Sequence, residues 1–159
     1  MEVYMISDGM TPDQILHMYK DDVNKLTAFL PYLEAKHDKV SGVYADDGLK
    51  EHSVVVPVYD GTLMSFVKAA DATSFMDRNY RYVYTRNHLK NAQDELAFID
   101  QATIFQMDLL GGILSYYVLG GRTKARLWSE GMNNGVFLKL VSKMKELVEF
   151  WTNAERKEY

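Results

Sequence analysis

The sequence predicts a single α+β domain that is mainly α, a helical domain of about five helices with a small antiparallel β-hairpin. Apolar residues recur at helical spacing along most of the chain. One segment, near residues 40–59, is instead rich in β-branched and aromatic residues. Neither a repeat nor a linker interrupts the 159 residues, 47% of which are hydrophobic. A chain of this size can bury a core of its own, so we expect residues 1–159 to form one globular domain.

The first predicted helix begins at residues 11–14, Thr-Pro-Asp-Gln. Thr11 can cap it, Pro12 suits the first helical position, and Gln14 completes a capping box. Apolar residues then recur at helical spacing as far as Leu30. Pro31 is expected to end or kink this helix, because its ring excludes a backbone hydrogen bond of the preceding turn.

The predicted hairpin consists of Val40–Tyr44 and Ser53–Tyr59, with a turn at residues 46–48 between them. Pro57 lies inside the second strand, which should therefore be an edge strand or end there. The sequence Asp60-Gly61-Thr62 closes the strand and can start the next helix. That helix has one apolar face, made of Leu63, Phe66, Val67 and Ala70.

The segment Asp77–Asn87 alternates aromatic and basic residues. If it is extended, alternate side chains share a face: Tyr80, Tyr82 and Tyr84 on one side, and Arg81, Val83 and Thr85 on the other. Rings that stack on bases and arginines that meet phosphates are typical of single-stranded nucleic-acid binding. We favour the alternative that one or two tyrosines pack in the core while the arginines are solvated, because the run is short and an aspartate flanks it.

The remainder is predicted to be helical. Asn91 can cap a helix with acids in its first turn, where the helix dipole favours them. A long apolar stripe then follows: Leu96, Ile99, Thr103, Ile104, Leu110 and Leu114. Gly111-Gly112 lies within this stripe, where it either allows close packing or marks a break. Gly120-Gly121 is expected to stop the helix, since glycine readily adopts the left-handed conformation.

Two further helices complete the prediction. A short one, Arg126–Asn133, is ended by Asn134-Gly135, and the last carries an apolar stripe from Phe137 to Trp151. The predicted core includes the most apolar positions of these helices and of the hairpin: Leu26, Val55, Phe66, Leu96, Leu110, Leu114, Phe137, Leu140, Met144 and Leu147.

A set of apolar, glycine and charged positions follows in a fixed order within about residues 109–151: Leu110, Tyr117, Gly121-Arg122, Trp128, Gly135, Leu140 and Lys145-Glu146-Leu147. In this order the segment resembles a small bacterial and phage family of uncharacterised proteins. The Tyr59–Phe66 stretch is also similar, whereas Thr123 stands where the family often has an aromatic residue. The resemblance implies a compact, mostly helical domain and no activity.

Motifs for catalysis are sparse. The chain has no cysteine, which excludes disulfides and thiolate chemistry. It contains neither a Gly-x-Ser-x-Gly elbow nor a complete phosphate loop. Residues 120–124, Gly-Gly-Arg-Thr-Lys, imitate part of such a loop but follow a helical run. His17 with Asp21, and Glu34 with His37, have helical ligand spacing, yet no third strong ligand is evident. We expect no catalytic residue, no cofactor and no metal.

The charges are unevenly distributed, with net −5 over residues 1–52, −2 over 53–120 and +3 over 121–159. The total of −4 argues mildly against a general nucleic-acid binder. The N-terminus lacks the features of a signal peptide, and the apolar run Leu109–Leu119 is too short to span a membrane. We therefore expect a cytoplasmic protein that has no membrane partner.

The sequence favours a non-enzymatic macromolecular interaction protein, such as a phage or mobile-element accessory protein that acts on a host protein. The first alternative is a nucleic-acid-binding module with a basic and aromatic surface, and the second is a small hydrolase or metal-dependent enzyme. The candidate partner-binding residues are Tyr80, Arg81, Tyr82, Tyr84, Arg86, Arg122, Lys124, Arg126 and Trp128. The partner's identity and the oligomeric state are left open.

Overall fold

The computed structural model describes residues 9–36, 44–45, 56–57, 61–124 and 126–156. These residues contain eight α-helices and one 3-10 turn, Ile104–Gln106. The helices are α1 (Pro12–Thr27), α2 (Leu30–Lys36), α3 (Gly61–Asp71), α4 (Tyr80–Arg86), α5 (Ala92–Gln101), α6 (Met107–Gly120), α7 (Arg126–Asn133) and α8 (Val136–Arg156). Two strands of two residues each, β1 (Tyr44–Ala45) and β2 (Val56–Pro57), pair antiparallel.

The predicted α+β class is wrong, and so is the prediction of about five helices. The fold is helical, with eight helices in the described part. The extended pairing there aligns Tyr44 with Pro57 and Ala45 with Val56, which is too short to form a layer that covers a core. The rest of Val40–Tyr44 and Ser53–Tyr59 lies outside the described residues. The helices instead bury their apolar faces against one another.

The capping box of α1 is confirmed. The Thr11 hydroxyl accepts a hydrogen bond from the Gln14 backbone N–H at 3.2 Å, and the Gln14 side-chain oxygen accepts one from the Thr11 N–H at 2.9 Å. α1 ends at Thr27, and Pro31 lies in the first turn of α2. Proline is tolerated there because the first N–H groups of a helix lack intrahelical acceptors. The first helix therefore ends before Pro31, and this proline lies inside a second helix instead of ending or kinking the first.

α6 is the central helix of the fold and contacts α3, α4, α7 and α8. Gly111 allows the segment between α3 and α4 to approach α6 closely, and Gly112 does the same for α4. A Cβ atom on Gly111 would lie 2.6 Å from Phe75 Cδ1, and one on Gly112 would lie 2.6 Å from Val83 Cγ2. The close-packing interpretation of the glycine pair is correct, because α6 continues through it.

The long apolar stripe predicted from Leu96 to Leu114 does not lie on one helix. α5 ends at Gln101, and the chain is extended at Ala102 and Thr103 before the 3-10 turn begins. The cause is a second capping box, in which the Thr103 hydroxyl accepts from the Phe105 N–H at 3.3 Å and Gln106 Oε1 accepts from the Thr103 N–H at 2.7 Å. These bonds end one helical segment and start the next.

Gly120-Gly121 ends α6 as predicted, but not by the predicted mechanism. Gly121 has a right-handed backbone, with φ −66° and ψ −16°, so the left-handed cap expected there is wrong. The need for glycine comes from Trp128, since a Cβ on Gly121 would lie 2.0 Å from the indole Nε1. α7 spans the predicted residues, and Gly135 after it has φ +83°, a value that favours glycine.

The last helix, α8, contacts α1, α2, α5, α6 and α7. The Phe137 ring lies 5.0 Å from Phe66 and 5.6 Å from Tyr117, measured between ring centroids. Eight predicted core residues are buried: Leu26, Phe66, Leu110, Leu114, Phe137, Leu140, Met144 and Leu147. Leu96 is only partly buried against this core, and Val55 lies outside the described residues.

Candidate functional site

A groove of about 1050 Å³ opens between α1, the segment 74–79, α4, the end of α5 and the start of α6. Its lining combines apolar side chains with carboxylates, amides and one arginine. We call it the Tyr19 groove. Concave sites that join apolar surface to a few placed polar groups are typical ligand sites, so this groove is the candidate functional site.

Two stacked rings form the apolar end of the Tyr19 groove. The rings of Tyr19 and Phe75 lie 4.6 Å apart, with planes 3° from parallel. Phe75 packs against α6 at Gly111, where the absence of a side chain leaves space for the phenyl ring. Packing on this rigid central helix fixes the position of both rings.

Helix α4 supplies the opposite wall. Val83 is buried against Gly112, which orients α4 so that Tyr82 and Arg86 line the groove. The Tyr82 ring is 62% exposed, and the Arg86 guanidinium carbon lies 5.9 Å from its centroid. This distance allows a cation–π interaction. Two of the nine predicted partner-binding residues are therefore brought together at the groove.

Tyr80, Tyr82 and Tyr84 would share one face only in an extended segment, and this segment is not extended. The segment is helical, so residues four apart share a face instead. Tyr80 and Tyr84 both contact Tyr116, at 5.9 Å and 4.7 Å between ring centroids, while Tyr82 points to the groove. The tyrosines therefore separate into a packed pair and one exposed ring.

Glu95 of α5 is only 3% exposed, and Tyr84 anchors α4 to its carboxylate. Tyr84 donates a hydrogen bond to Glu95 Oε2, and Tyr117 donates one to Oε1 at 2.6 Å. Asn134, before α8, donates to the Tyr117 hydroxyl at 2.9 Å. This network links α4, α5, α6 and the turn between α7 and α8, and so fixes the helix that carries Tyr82 and Arg86.

Burial raises the pKa of Glu95, although the hydrogen bonds from Tyr117 and Tyr84 lower it part of the way. Burial and the neighbouring carboxylate raise the pKa of both phenols. The tyrosines therefore keep their protons and act as donors. The sequence placed Glu95 only as an acid in a first helical turn, and that pattern carries no signal of burial.

The remaining candidates lie elsewhere. Arg122 Nη2 donates to both carboxylate oxygens of Asp71 at 2.6 Å, beside a second cavity of about 520 Å³ that Trp128 also lines. Trp128 Nε1 donates to the Val118 carbonyl at 3.1 Å. Arg126 pairs with Glu130 at 3.2 Å on α7. Arg81 and Lys124 are exposed.

Four of the nine candidates lie in residues 122–128, and three of them, Arg122, Arg126 and Trp128, contact other residues of the chain in this way. The nine candidate residues do not form one surface, because Tyr82 and Arg86 line the Tyr19 groove while Arg122 and Trp128 line the other cavity.

The proposed metal-ligand spacings do not build a site in the part of the chain described. His17 Nε2 lies 3.3 Å from Asp13 Oδ1, and His37 is outside the described residues. Among the described residues, no group of three or more histidine or acidic side chains could hold a metal ion. Likewise, none of the helices described is both long and apolar enough to cross a membrane.

Comparison of the chain with protein-family models, curated protein sequences and solved structures gave no match. The resemblance of residues 109–151 to a bacterial and phage family therefore stays a prediction.

Proposed function

We propose that this protein is a non-enzymatic interaction domain whose Tyr19 groove binds a segment of another protein. The supporting observation is the lining of the groove, where stacked rings, carboxylates and one arginine share a single concavity. Its volume of about 1050 Å³ is enough for several side chains of a bound segment. Tyrosine and arginine are also the residue types enriched at interface positions that contribute most to affinity.

The charges lining the groove favour a partner segment that combines apolar and basic side chains. Asp77 and Asp108 line the wall, whereas Arg86 is the one arginine in it. An apolar segment with a basic residue would bury its side chains on the rings and place its charge near these carboxylates. Complementary charge of this kind fixes orientation and excludes wrong partners.

The charges in and outside the groove oppose the alternative that the protein binds nucleic acid. Phosphate binding needs cations gathered on one surface. Here Arg122 is paired with Asp71, Arg126 is paired with Glu130, and the groove itself carries carboxylates. A host protein as the partner, a phage or mobile-element origin and a cytoplasmic location stay predictions from the sequence.

The proposal is tested by selecting ligands for the full chain from a displayed random-peptide library and measuring their affinity for point variants. Tyr82→Ala and Arg86→Ala should each weaken the selected peptides about tenfold. Arg81→Ala is the matched control, because it removes the same charge from an exposed position of α4 that does not line the groove.

Selected peptides that bind Y82A and R86A as tightly as the wild type would contradict the proposal, and so would a library that yields no ligand. A parallel titration with an oligo(dT) strand at low salt tests the alternative. Tight binding that falls steeply as salt rises would favour the nucleic-acid module.

A further inference from the structure

Tyr19 lies at the floor of the groove, and its hydroxyl has no hydrogen-bond partner among the described residues. Its side chain lines the cavity, yet the residue is only 2% exposed. A groove-lining hydroxyl that has no hydrogen-bond partner among the described residues can donate to, or accept from, a bound group.

Three carboxylates act electrostatically on the Tyr19 phenol, and those of Asp77 and Asp108 line the same groove. The three belong to Asp22, one turn further along α1, to Asp77, and to Asp108 at the start of α6. Burial and then the charges of Asp108, Asp22 and Asp77 raise the pKa of Tyr19 to about 12. The phenol therefore keeps its proton in a region of negative potential, which favours a cation.

Two of these carboxylates are held in place by the segment 74–79. Asp22 Oδ2 accepts from the Ser74 backbone N–H at 3.1 Å and from the Ser74 hydroxyl. Asp77 Oδ1 accepts from the Asn79 N–H at 2.8 Å. Backbone donors thus fix the negative charges before any ligand arrives, which lowers the entropy cost of binding.

We propose that the Tyr19 end of the groove is a subsite for an organic cation, the ammonium of a lysine or the guanidinium of an arginine on the partner segment. This inference rests on the proposed function, since it names the residue type that the groove selects. The Tyr19 hydroxyl would accept a hydrogen bond from the cation, and the carboxylates would balance its charge.

The apolar lining beside the carboxylates favours an organic cation over a bare metal ion. Phe75, Met76 and Leu109 line the same groove. They offer contact surface to the carbon stem of a lysine or arginine, whereas a hydrated ion gains nothing from apolar contact. Arg86 lines the groove from α4, and its charge is not among those that shift the pKa of the Tyr19 phenol.

The test uses four probes on the full chain: Nα-acetyl-lysine methylamide, its arginine counterpart, the neutral norleucine counterpart and calcium chloride. Backbone amide NMR shifts of residues 74–79 and 108 report binding. We expect the two cationic probes to shift these signals, with a Kd of about 1 mM or weaker. The norleucine probe has the same carbon stem without the charge, so it should shift them much less.

Three variants locate the subsite. Asp77→Asn keeps the acceptor for the Asn79 N–H but removes the charge, and it should weaken the cationic probes about fivefold. Tyr19→Phe removes the hydroxyl, so it should also weaken them while leaving the melting temperature unchanged. Asp21→Asn is the matched control, because it removes an exposed charge of α1 that does not act on Tyr19.

The inference is overturned if the norleucine probe binds as well as the lysine probe, or if D77N binds the cationic probes like the wild type. It is also overturned if calcium chloride shifts these signals while the cationic probes do not. Its failure differs from failure of the proposed function. Selected peptides sensitive to Y82A but not to D77N would leave the interaction groove without this subsite. Cationic probes that bind while the library yields no ligand would leave the subsite without the peptide groove.

Discussion

The hydroxyl of Tyr117 donates a hydrogen bond to Glu95 Oε1 across 2.6 Å inside the helical core. Tyr84 donates to the other oxygen, so neutral phenols hold this carboxylate from both sides. Among the residues described, Glu95 has no salt bridge with a cation. Since neutral donors do not compensate a buried negative charge fully, the stability of the fold depends on whether the Glu95 carboxyl is protonated.

Stability should depend on pH through Glu95. Its pKa is raised in the folded state above the ordinary value of 4.5, so between 4.5 and the raised pKa the folded state binds more protons than the unfolded state. The free energy of unfolding therefore falls as pH rises through this window and is constant with respect to Glu95 outside it. Urea titrations across this pH range should show the fall in the wild type and its loss in Glu95→Gln.

Glu149→Gln is the control for this experiment. Glu149 is an exposed residue of α8, so its replacement should leave the wild-type pH dependence in place. Equal pH dependence in the wild type and in E95Q would show that Glu95 does not titrate in the raised window.

Tyr117→Phe should destabilise the fold by about 2 kcal/mol, because it removes a donor from a buried carboxylate and the acceptor for Asn134 Nδ2. Tyr82→Phe removes the same hydroxyl from a ring that is 62% exposed, and it should change stability by less than about 0.5 kcal/mol. Chemical unfolding of both variants checks this. A loss in Y117F no larger than that in Y82F would show that the network contributes little.

Local signals in the sequence predicted several elements correctly, and the reason is that their causes are local. The capping box at Thr11 and Gln14 and the stop at Gly135 depend only on residues within a few positions. The same signal, Thr-Ile-Phe-Gln at residues 103–106, was present where the apolar stripe suggested one long helix. In this chain, the capping residues at 103–106 determine where one helix ends and the next begins, although the apolar stripe continues across them.

Other features depended on partners distant in sequence. The tyrosines at 80, 82 and 84 alternate with period two, but Tyr80 and Tyr84 are also four apart, and the contacts with Tyr116 of α6 favour the helix. Glu95 meets Tyr117, 22 residues away. The Tyr19 groove joins α1 to α4 and α6, so no single segment of sequence indicates it.

Gly121→Ala should destabilise the fold by about 1–3 kcal/mol, because the new methyl group would overlap the Trp128 indole and disturb its hydrogen bond to the Val118 carbonyl. Gly61→Ala is the matched control, since a Cβ there meets nothing within 4 Å. Thermal unfolding followed by tryptophan fluorescence compares the two. If G121A melts like G61A, the contact between Gly121 and Trp128 is not required.

The contact between α4 and α6 can be tested by size compensation. Gly112→Ala places a methyl group where Val83 Cγ2 lies, and should destabilise the fold by about 1–3 kcal/mol. Val83→Ala removes the obstructing methyls, so the double variant should lose less stability than the sum of the two single losses. A strictly additive loss, measured by urea unfolding, would contradict this contact.

Leu140→Asp should cost at least about 4 kcal/mol and leave little folded protein, because Leu140 is 0% exposed in α8 and the substitution buries an unpaired charge. Ser142→Asp, two residues further along the same helix, is exposed and should unfold like the wild type. Circular dichroism melts of both variants make the comparison at equal added charge. Loss of the cooperative transition in L140D alone locates the buried face of α8, while similar melts for L140D and S142D would show that this face does not stabilise the domain.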